Sequence, residues 1–457
     1  MILNSKTELN QLTAISPIDG RYFPQVQVLS DYFSEYAYLR TGLGIELKYI
    51  IFLSELKIFR TLTNKEKKFI DNIYSSFTTK KAYELKEKGT PDGLRIHDLK
   101  SIEYYIKSIF LQTSLSDVVQ WIHFGLTSND IVDNAYRTLV QQALKDVLIP
   151  KVENLLSMVN KIAKRFLKLP MLGRTHGQAA VPTTFGKEIA VFSARIKKEL
   201  INLKKTKLYG KFGGAVGNWN SLNFTFPEQN WPALATRFLK KIGLERSGIT
   251  TQIAPTEDLI NIFQNIFRIN SILLDFNQDI WRYISDAWVV QKGKSGIVGS
   301  STMPQKVNPL EFENSEGNLV MANGLFETFS RKLPISRLQR DLSDSTVLRN
   351  VGVAFAHTLV AFASCKRGLT IIEPNKNKML NDLNDDWSIL SEALQTVMRK
   401  QGKADAYEKV AIEVRGKKIK QSKWKKMINT LDLPEKVKIK LVDLAPKDYI
   451  GIIQTKW

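Results

Sequence analysis

The sequence is poor in the residues that build covalent and metal cross-links. It holds one cysteine, Cys365, and four histidines in 457 residues. One thiol cannot close a disulfide within the chain, which excludes a disulfide framework. No Cys/His cluster with zinc-ligand spacing occurs, so no structural zinc site is expected, and the sequence calls for no cofactor. Long apolar runs are missing as well. No stretch of about 18 apolar residues is present, and the opening MILNSKTELNQLTAISPIDGRY has no apolar core of the signal-peptide type. The expectation is a cytoplasmic protein with no membrane partner. Acidic residues are also scarce: Asp+Glu number 45 against 66 Lys+Arg, a formal net charge of +21.

Such a basic excess meets one criterion for a nucleic-acid binder. The positive residues, however, are spread along the chain. The densest stretch, 411–457, carries twelve Lys/Arg and five Asp/Glu, a balance of +7. Its RGKKIKQSKWKKMI segment lacks the Gly and aromatic pattern of an RNA-recognition motif, and no zinc-finger or leucine-zipper pattern appears. A Lys-rich solvated surface is the simpler reading, and no nucleic-acid partner is expected. Hydrophobic residues make up 43% and charged residues 24%, enough for a large core.

Proline placement outlines the architecture. No proline lies between Pro91 and Pro150, Pro182 and Pro227, Pro255 and Pro304, or Pro334 and Pro374, and each window carries helical periodicity. In 133–169 the apolar positions Leu139, Val140, Leu144, Val147, Leu148, Val152, Leu155, Leu156, Val159 and Ile162 recur at spacings of three and four. Pro150 is expected to kink or split that helix. Thr256 is a plausible N-cap for a helix running to about Gln291, with Glu257 and Asp258 in its first turn. Its apolar face is wide enough to need partners on several sides, as in a bundle. Short strands are candidates at 225–227 and 211–218. The fold is read as mostly α, in three helical domains: 1–118, a central long-helix bundle 119–368, and a small basic domain 369–457.

Four polar islands interrupt the helices. Residues 293–309 form a Gly/Ser-rich loop with Ser300, Ser301, Lys306 and Asn308, long for a plain connector and suited to a lid. Residues 172–188 read as a polar loop holding His176, a candidate acid or base. Thr127-Ser128-Asn129-Asp130 reads as an N-cap cluster, and a helix N-terminus there suits a carboxylate or phosphate. Residues 337–349 carry three arginines that fit an anion clamp or an ordinary charged helix face.

At these islands the sequence resembles the fumarase/aspartase superfamily. GSSTMPQKVNP at 299–309 matches its signature loop, GSSxMPxKxNP. Within it the wording is most similar to the bacterial-type adenylosuccinate lyases, through SPIDGRY (16–22), HDLKSIEYY (97–105), TSND (127–130), RTHGQAAVPTTFGKE (174–188), GGAVGN (213–218), TTQI (250–253), FENSEGN (312–318) and RDLSDSTVLRN (340–350). Argininosuccinate lyases share the MPQK wording but not SPIDGRY or DSTVLRN.

The resemblance implies a homotetramer with a central bundle of long helices and active sites shared between chains. It implies β-elimination of fumarate from two nucleotide substrates, adenylosuccinate and succinyl-aminoimidazole-carboxamide ribotide (SAICAR). Ser300 corresponds to the general base, with the adjacent Ser301 open as the alternative, and His176 to the general acid. Lys306 and Asn308 would stabilise the carbanion, and Glu313 would pair with the histidine. Arg21, Tyr22, His97, Asp98, Thr127, Ser128, Gln252, Arg340, Ser345 and Arg349 correspond to substrate contacts. Ile96 falls where relatives carry a contacting Asn, Gln305 where they carry His, and Asn129 where they carry an acidic residue. Ile96 has no side-chain donor, which weakens nucleotide contact there. The open alternatives are another leaving group in the same superfamily, as in argininosuccinate lyase or aspartase, a basic nucleic-acid-binding helical protein, and a lyase-derived structural protein without catalysis.

Overall fold

The periodic windows fold as helices, and the protein is mostly α. The computed structural model describes residues 9–88, 98–292, 303 and 305–457. Ile96, His97, Ser300 and Ser301 lie outside the described residues, as does the side chain of Asp98. The long helices are α1 (Glu35–Glu55), α2 (Ser128–Ala143), α3 (Ile149–Arg165), α4 (Phe185–Lys205), α5 (Glu257–Ser285), α6 (Leu310–Lys332) and α8 (Val351–Ile371). The short α7 (Ser343–Leu348) precedes α8.

Pro150 does not split its helix. A π-helical turn, Leu144–Leu148, joins α2 to α3 just before it. Proline has no N–H for the carbonyl four residues back, and its ring crowds that carbonyl; a wider turn takes up the mismatch. α5 ends earlier than expected, at Ser285 rather than near Gln291. Ala287 takes a left-handed conformation at φ 58°. The Trp288 N–H then bonds back to the Tyr283 carbonyl at 2.9 Å, closing the helix as a Schellman-type cap. Trp288 is buried behind this stop, and Val289–Gln291 pairs antiparallel with Ile372–Pro374. At the other end the Thr256 carbonyl accepts from Ile260 N–H, but among the described residues its buried hydroxyl has no partner.

The expected strands at 225–227 and 211–218 do not form. Thr225 ends a helix that begins at Asn220. The 211–214 backbone is bonded to side chains of α2, which leaves it no ladder to join. The main strands instead make a hairpin, β1 (Pro170–Thr175) and β2 (Gln178–Thr184).

The chain divides into two compact units, 1–151 with 199–270 and 318–360, and 152–198 with 271–317 and 361–457. In the first, Phe263, Phe326, Phe329 and Phe355 interlock, and Asn270 of α5 donates to Thr358 of α8 at 3.1 Å. His357 is buried there against Asn318 at 2.8 Å, and burial pushes its pKa down, as suits a core imidazole. In the second, Asn277 donates to Ser315 at 2.8 Å and Asn314 to Ser364 at 2.6 Å. A Cβ at Gly368 would meet the Phe312 ring at 2.7 Å, so glycine lets α6 and α8 approach closely. The second unit also holds a separate core around Trp387, Leu390, Leu394, Trp424 and Ile428.

By length and composition, the segment Ser343–Ile371 is apolar enough to cross a membrane, although it contains no unbroken run of about 18 apolar residues. Most of its apolar window, 61%, is buried inside the protein, which accounts for its hydropathy as a core helix.

Candidate active site

His176 stands at the tip of a hairpin, not in an irregular loop. Thr175 pairs with Gln178, so the connection has two residues, His176 and Gly177. Both have positive φ, 52° and 74°, as in a type I′ turn, the form that matches strand twist. Glycine takes this conformation freely, while a histidine there is uncommon and marks a site to inspect. Arg174 closes the turn by donating to the Gly177 carbonyl at 3.1 Å, and its guanidinium lies over the Trp288 ring at 5.3 Å. At the hairpin base, a Cβ on Gly186 would strike the Ala163 carbonyl at 2.3 Å, so only glycine lets α4 start against the end of α3. The His176 side chain is exposed and, among the described residues, has no hydrogen-bond partner.

Glu313, the expected partner of the histidine, lies near the start of α6. It accepts from Trp281 Nε1 at 3.0 Å. No pair with His176 forms within this chain among the described residues. Lys306 is exposed, and its N–H bonds the Met303 carbonyl at 3.0 Å. Gln291 holds this segment by donating to the Val307 carbonyl at 3.1 Å, beside the half-buried Asn308. Gln305 is exposed.

In the other unit, Thr127, Ser128 and Gln252 come together. Thr127 caps α2, and its N–H donates to the Asp130 carboxylate at 2.8 Å. Gln252 Nε2 reaches the Thr127 hydroxyl at 3.5 Å. The anion at this helix N-terminus is therefore the protein's own Asp130. Below it, one face of α2 is polar and buried throughout: Asn129, Asp130, Asp133, Asn134 and Arg137. Each grips a neighbour. Asn129 donates to Asp133 at 3.0 Å, and Asp133 accepts from the Ala254 N–H at 2.6 Å. Burial pushes the Asp133 pKa up, while the nearby Arg137 guanidinium opposes that shift. Arg137 binds Asp258 twice, at 3.0 and 3.1 Å, and the Pro255 carbonyl at 2.6 Å. The face thus fastens two loops, 211–218 and 250–256, beside Thr127.

Arg340 is half-buried and donates to Ser345 at 3.2 Å, with Asp344 at 4.0 Å. Among the described residues its buried Nε has no partner. Arg349 is exposed, 3.6 Å from Glu35. Arg337 pairs with Asp341 at 3.5 Å, so this island combines a charged i, i+4 pair with the Arg340–Ser345 contact. Arg21 is exposed, and Tyr22 is held by its N–H on the Pro17 carbonyl at 2.8 Å.

Sequence reasoning assigned no role to His123. It lies four residues before Thr127, at φ 56°, with Nδ1 2.5 Å from the buried Glu46 carboxylate. Burial alone would lower its pKa; the Glu46 hydrogen bond and charge outweigh this and raise it. Tyr49 holds the same turn by donating to the Phe124 carbonyl at 2.8 Å. The signal available was the position of His123 in the same polar island as TSND.

Two family profiles match the chain: Lyase over residues 53–324, and Adenylosuccinate lyase C-terminal over 336–450. The adenylosuccinate lyase of Legionella pneumophila (strain Corby) is 42% identical over 448 residues, covering 97% of this chain and 98% of the relative. That of Dictyostelium discoideum is 43% identical over 468 residues, with 99% of each covered. That of Escherichia coli (strain K12) is 38% identical, covering 97% and 98%. Among solved structures, a fumarate lyase from Mesorhizobium sp. BNC1 superposes with a TM-score of 0.75 at 17% identity, over 93% of this chain and 95% of that one. This last likeness concerns the fold alone. Full-length identity near two in five, with both profiles in register, identifies the chain as a member of the adenylosuccinate lyase family.

Proposed function

We propose that this protein cleaves adenylosuccinate to AMP and fumarate, and SAICAR to its carboxamide and fumarate. The observation that carries this is similarity along essentially the whole chain to enzymes named adenylosuccinate lyase. The chemistry is a β-elimination. Ser300 Oγ, as the alkoxide, takes the proton from the succinyl Cβ. The electron pair left on carbon forms the double bond of fumarate as the C–N bond breaks. The departing nitrogen takes the bond electrons and a proton from His176. Charge builds on the carboxylate beside the carbanion, and Lys306 and Asn308 are the donors assigned to it. A serine is a weak base in water, and cations placed beside it are what lower its pKa.

Arg21, Tyr22, Ile96, His97, Asp98, Thr127, Ser128, Gln252, Ser301, Arg340, Ser345 and Arg349 are assigned to substrate contacts. Its phosphate and two carboxylates suit a positive, hydroxyl-rich site. The working form is a cytoplasmic homotetramer with shared active sites, built from the three domains 1–118, 119–368 and 369–457. Two features favour shared sites. His176 is presented outward without a partner of its own chain among the described residues, and Glu313 is taken by Trp281. On α6, Gly317, Val320, Met321 and Gly324 make an outward stripe, and nothing lies within 4 Å of a Cβ at either glycine. Such a face fits a second helix at close range.

Mixing tests this reading. Ser300→Ala and His176→Asn each lower kcat severely as pure proteins, and unfolded-and-refolded mixtures of the two regain activity. Mixtures no more active than the separate variants would count against shared sites. Near-normal turnover in Ser300→Ala moves the base to Ser301 or elsewhere.

A further inference from the structure

Lys211 lies outside every role assigned above, yet its ammonium group is completely buried. It sits 2.8 Å from the Asp130 carboxylate, and both side chains have no exposed surface. Moving two charges out of water is costly, and such a pair adds little stability over a well-packed apolar one. Its retention here calls for a use beyond holding the fold.

The surrounding bonds indicate that use. Asp130 Oδ1 accepts Lys211 Nζ and the Gly213 N–H, both at 2.8 Å. Asp130 Oδ2 accepts the Gly214 N–H at 3.0 Å and the Thr127 N–H at 2.8 Å. Lys211 Nζ also donates to the Gly214 carbonyl at 2.6 Å. Asn134 binds both backbone groups of Lys211, accepting its N–H at 2.9 Å and donating to its carbonyl at 2.7 Å. The loop that follows is pressed onto a third segment. Gly217, at φ 81°, has so little room that a Cβ would meet the Thr250 carbonyl at 2.2 Å. Two residues on, Gln252 reaches back to the Thr127 hydroxyl. Three segments thus close a ring around one ion pair: the Thr127–Ser128 turn, the 211–218 loop and the 250–252 strip.

We propose that Lys211 and Asp130 are positioning residues for the substrate site, a buried neutral pair that fixes Thr127, Ser128 and Gln252. The inference rests on the lyase reading above, which makes those three residues substrate contacts. A carboxylate is the acceptor able to collect three backbone N–H groups and an ammonium at one point, so it sets the relative placement of two loops. A bare carboxylate beside Thr127 would repel a polyanionic substrate, and the Lys211 ammonium cancels that charge at contact distance.

The test uses the full-length enzyme and three variants: Lys211→Met, Asp130→Asn, and the two combined. Each is assayed for kcat and KM with adenylosuccinate, with thermal unfolding in parallel. Lys211→Met leaves a lone buried carboxylate. Its KM is expected to rise at least about tenfold, while kcat falls by less than about threefold, because binding rather than chemistry is lost. The combined variant restores neutrality and recovers most of the KM increase, even though it lacks both partners. If a single variant does not fold, a combined variant that folds with KM within about threefold of wild type carries the same conclusion. Equal losses in all three variants, confined to kcat or to the active fraction with KM unchanged, overturn the inference and leave a purely structural pair. Failure of all three to fold does the same. Wild-type protein inactive on adenylosuccinate overturns the lyase reading and this inference with it, whereas active wild type with unchanged KM in the variants overturns this inference alone.

Discussion

Two substitutions at His176 separate its chemistry from its place in the turn. The residue occupies the first central position of a type I′ turn at φ 52°. Asparagine is favoured at that position and carries no acid near neutral pH, so His176→Asn keeps the hairpin and removes the proposed proton donor. Histidine already pays the cost of about 1–2 kcal/mol that the left-handed conformation imposes on an L-residue, and β-branched valine, an outlier at positive φ, pays more. A positioned acid contributes roughly 10²–10⁴ in rate. At about 1.36 kcal/mol per tenfold, that is about 2.7–5.4 kcal/mol of barrier. In a fumarate-release assay, His176→Asn therefore loses about 10²–10⁴ in kcat while amide exchange over 170–184 stays at wild-type rates. His176→Val loses at least as much activity, and its hairpin amides exchange faster than those of wild type and of His176→Asn. A His176→Asn enzyme that keeps more than about a tenth of wild-type kcat would refute the assignment of His176 as the acid. Unchanged exchange in the valine variant would refute the turn argument.

Arg137 anchors the buried face of α2 to Asp258, with 2% and 5% of the two side chains exposed. Arg137→Met leaves that carboxylate without its partner and costs about 3–5 kcal/mol in denaturant unfolding; a loss under about 1 kcal/mol contradicts the burial argument. Asp279 has its pKa pushed up to about 6 by burial, helped by Asp275 and Glu188. The folded protein holds this proton more tightly than the unfolded chain. Its stabilising contribution is complete below about pH 4 and lost as pH rises through about 6. Asp279→Asn raises the melting temperature near pH 8 and leaves it unchanged near pH 4. The gain stays well below the roughly 1.4 kcal/mol per pKa unit, because the group is only partly buried and solvent screens it. A gain at acid pH and none at pH 8 reverses the sign and contradicts the assignment.

The helices were legible because their apolar positions repeat at spacings of three and four over many turns, as in 133–169 and along α5. The end of α5 was not, because Ala287 takes the left-handed cap that glycine usually supplies. The hairpin under His176 escaped for two reasons. A register shift between Leu172 and Arg174 breaks the alternation of β1, and His-Gly is a weaker turn signal than Asn-Gly. The buried polar face of α2 was invisible for another cause. Asn129 and Asp130 read as part of an N-cap cluster, and nothing in a sequence says that Asp133, Asn134 and Arg137 continue it as a polar face that will meet loop backbone. The motifs at TSND and GGAVGN were readable as words. That one ion pair, Lys211–Asp130, ties both together is a fact of three dimensions.

The central claim is the reaction itself. The direct measurement is the change in ultraviolet absorbance of adenylosuccinate when purified protein is added, with fumarate quantified in the same sample. The account predicts loss of adenylosuccinate with one fumarate and one AMP formed per molecule consumed, and no fumarate from argininosuccinate or aspartate. Fumarate from either of those substrates, with adenylosuccinate left intact, would contradict it.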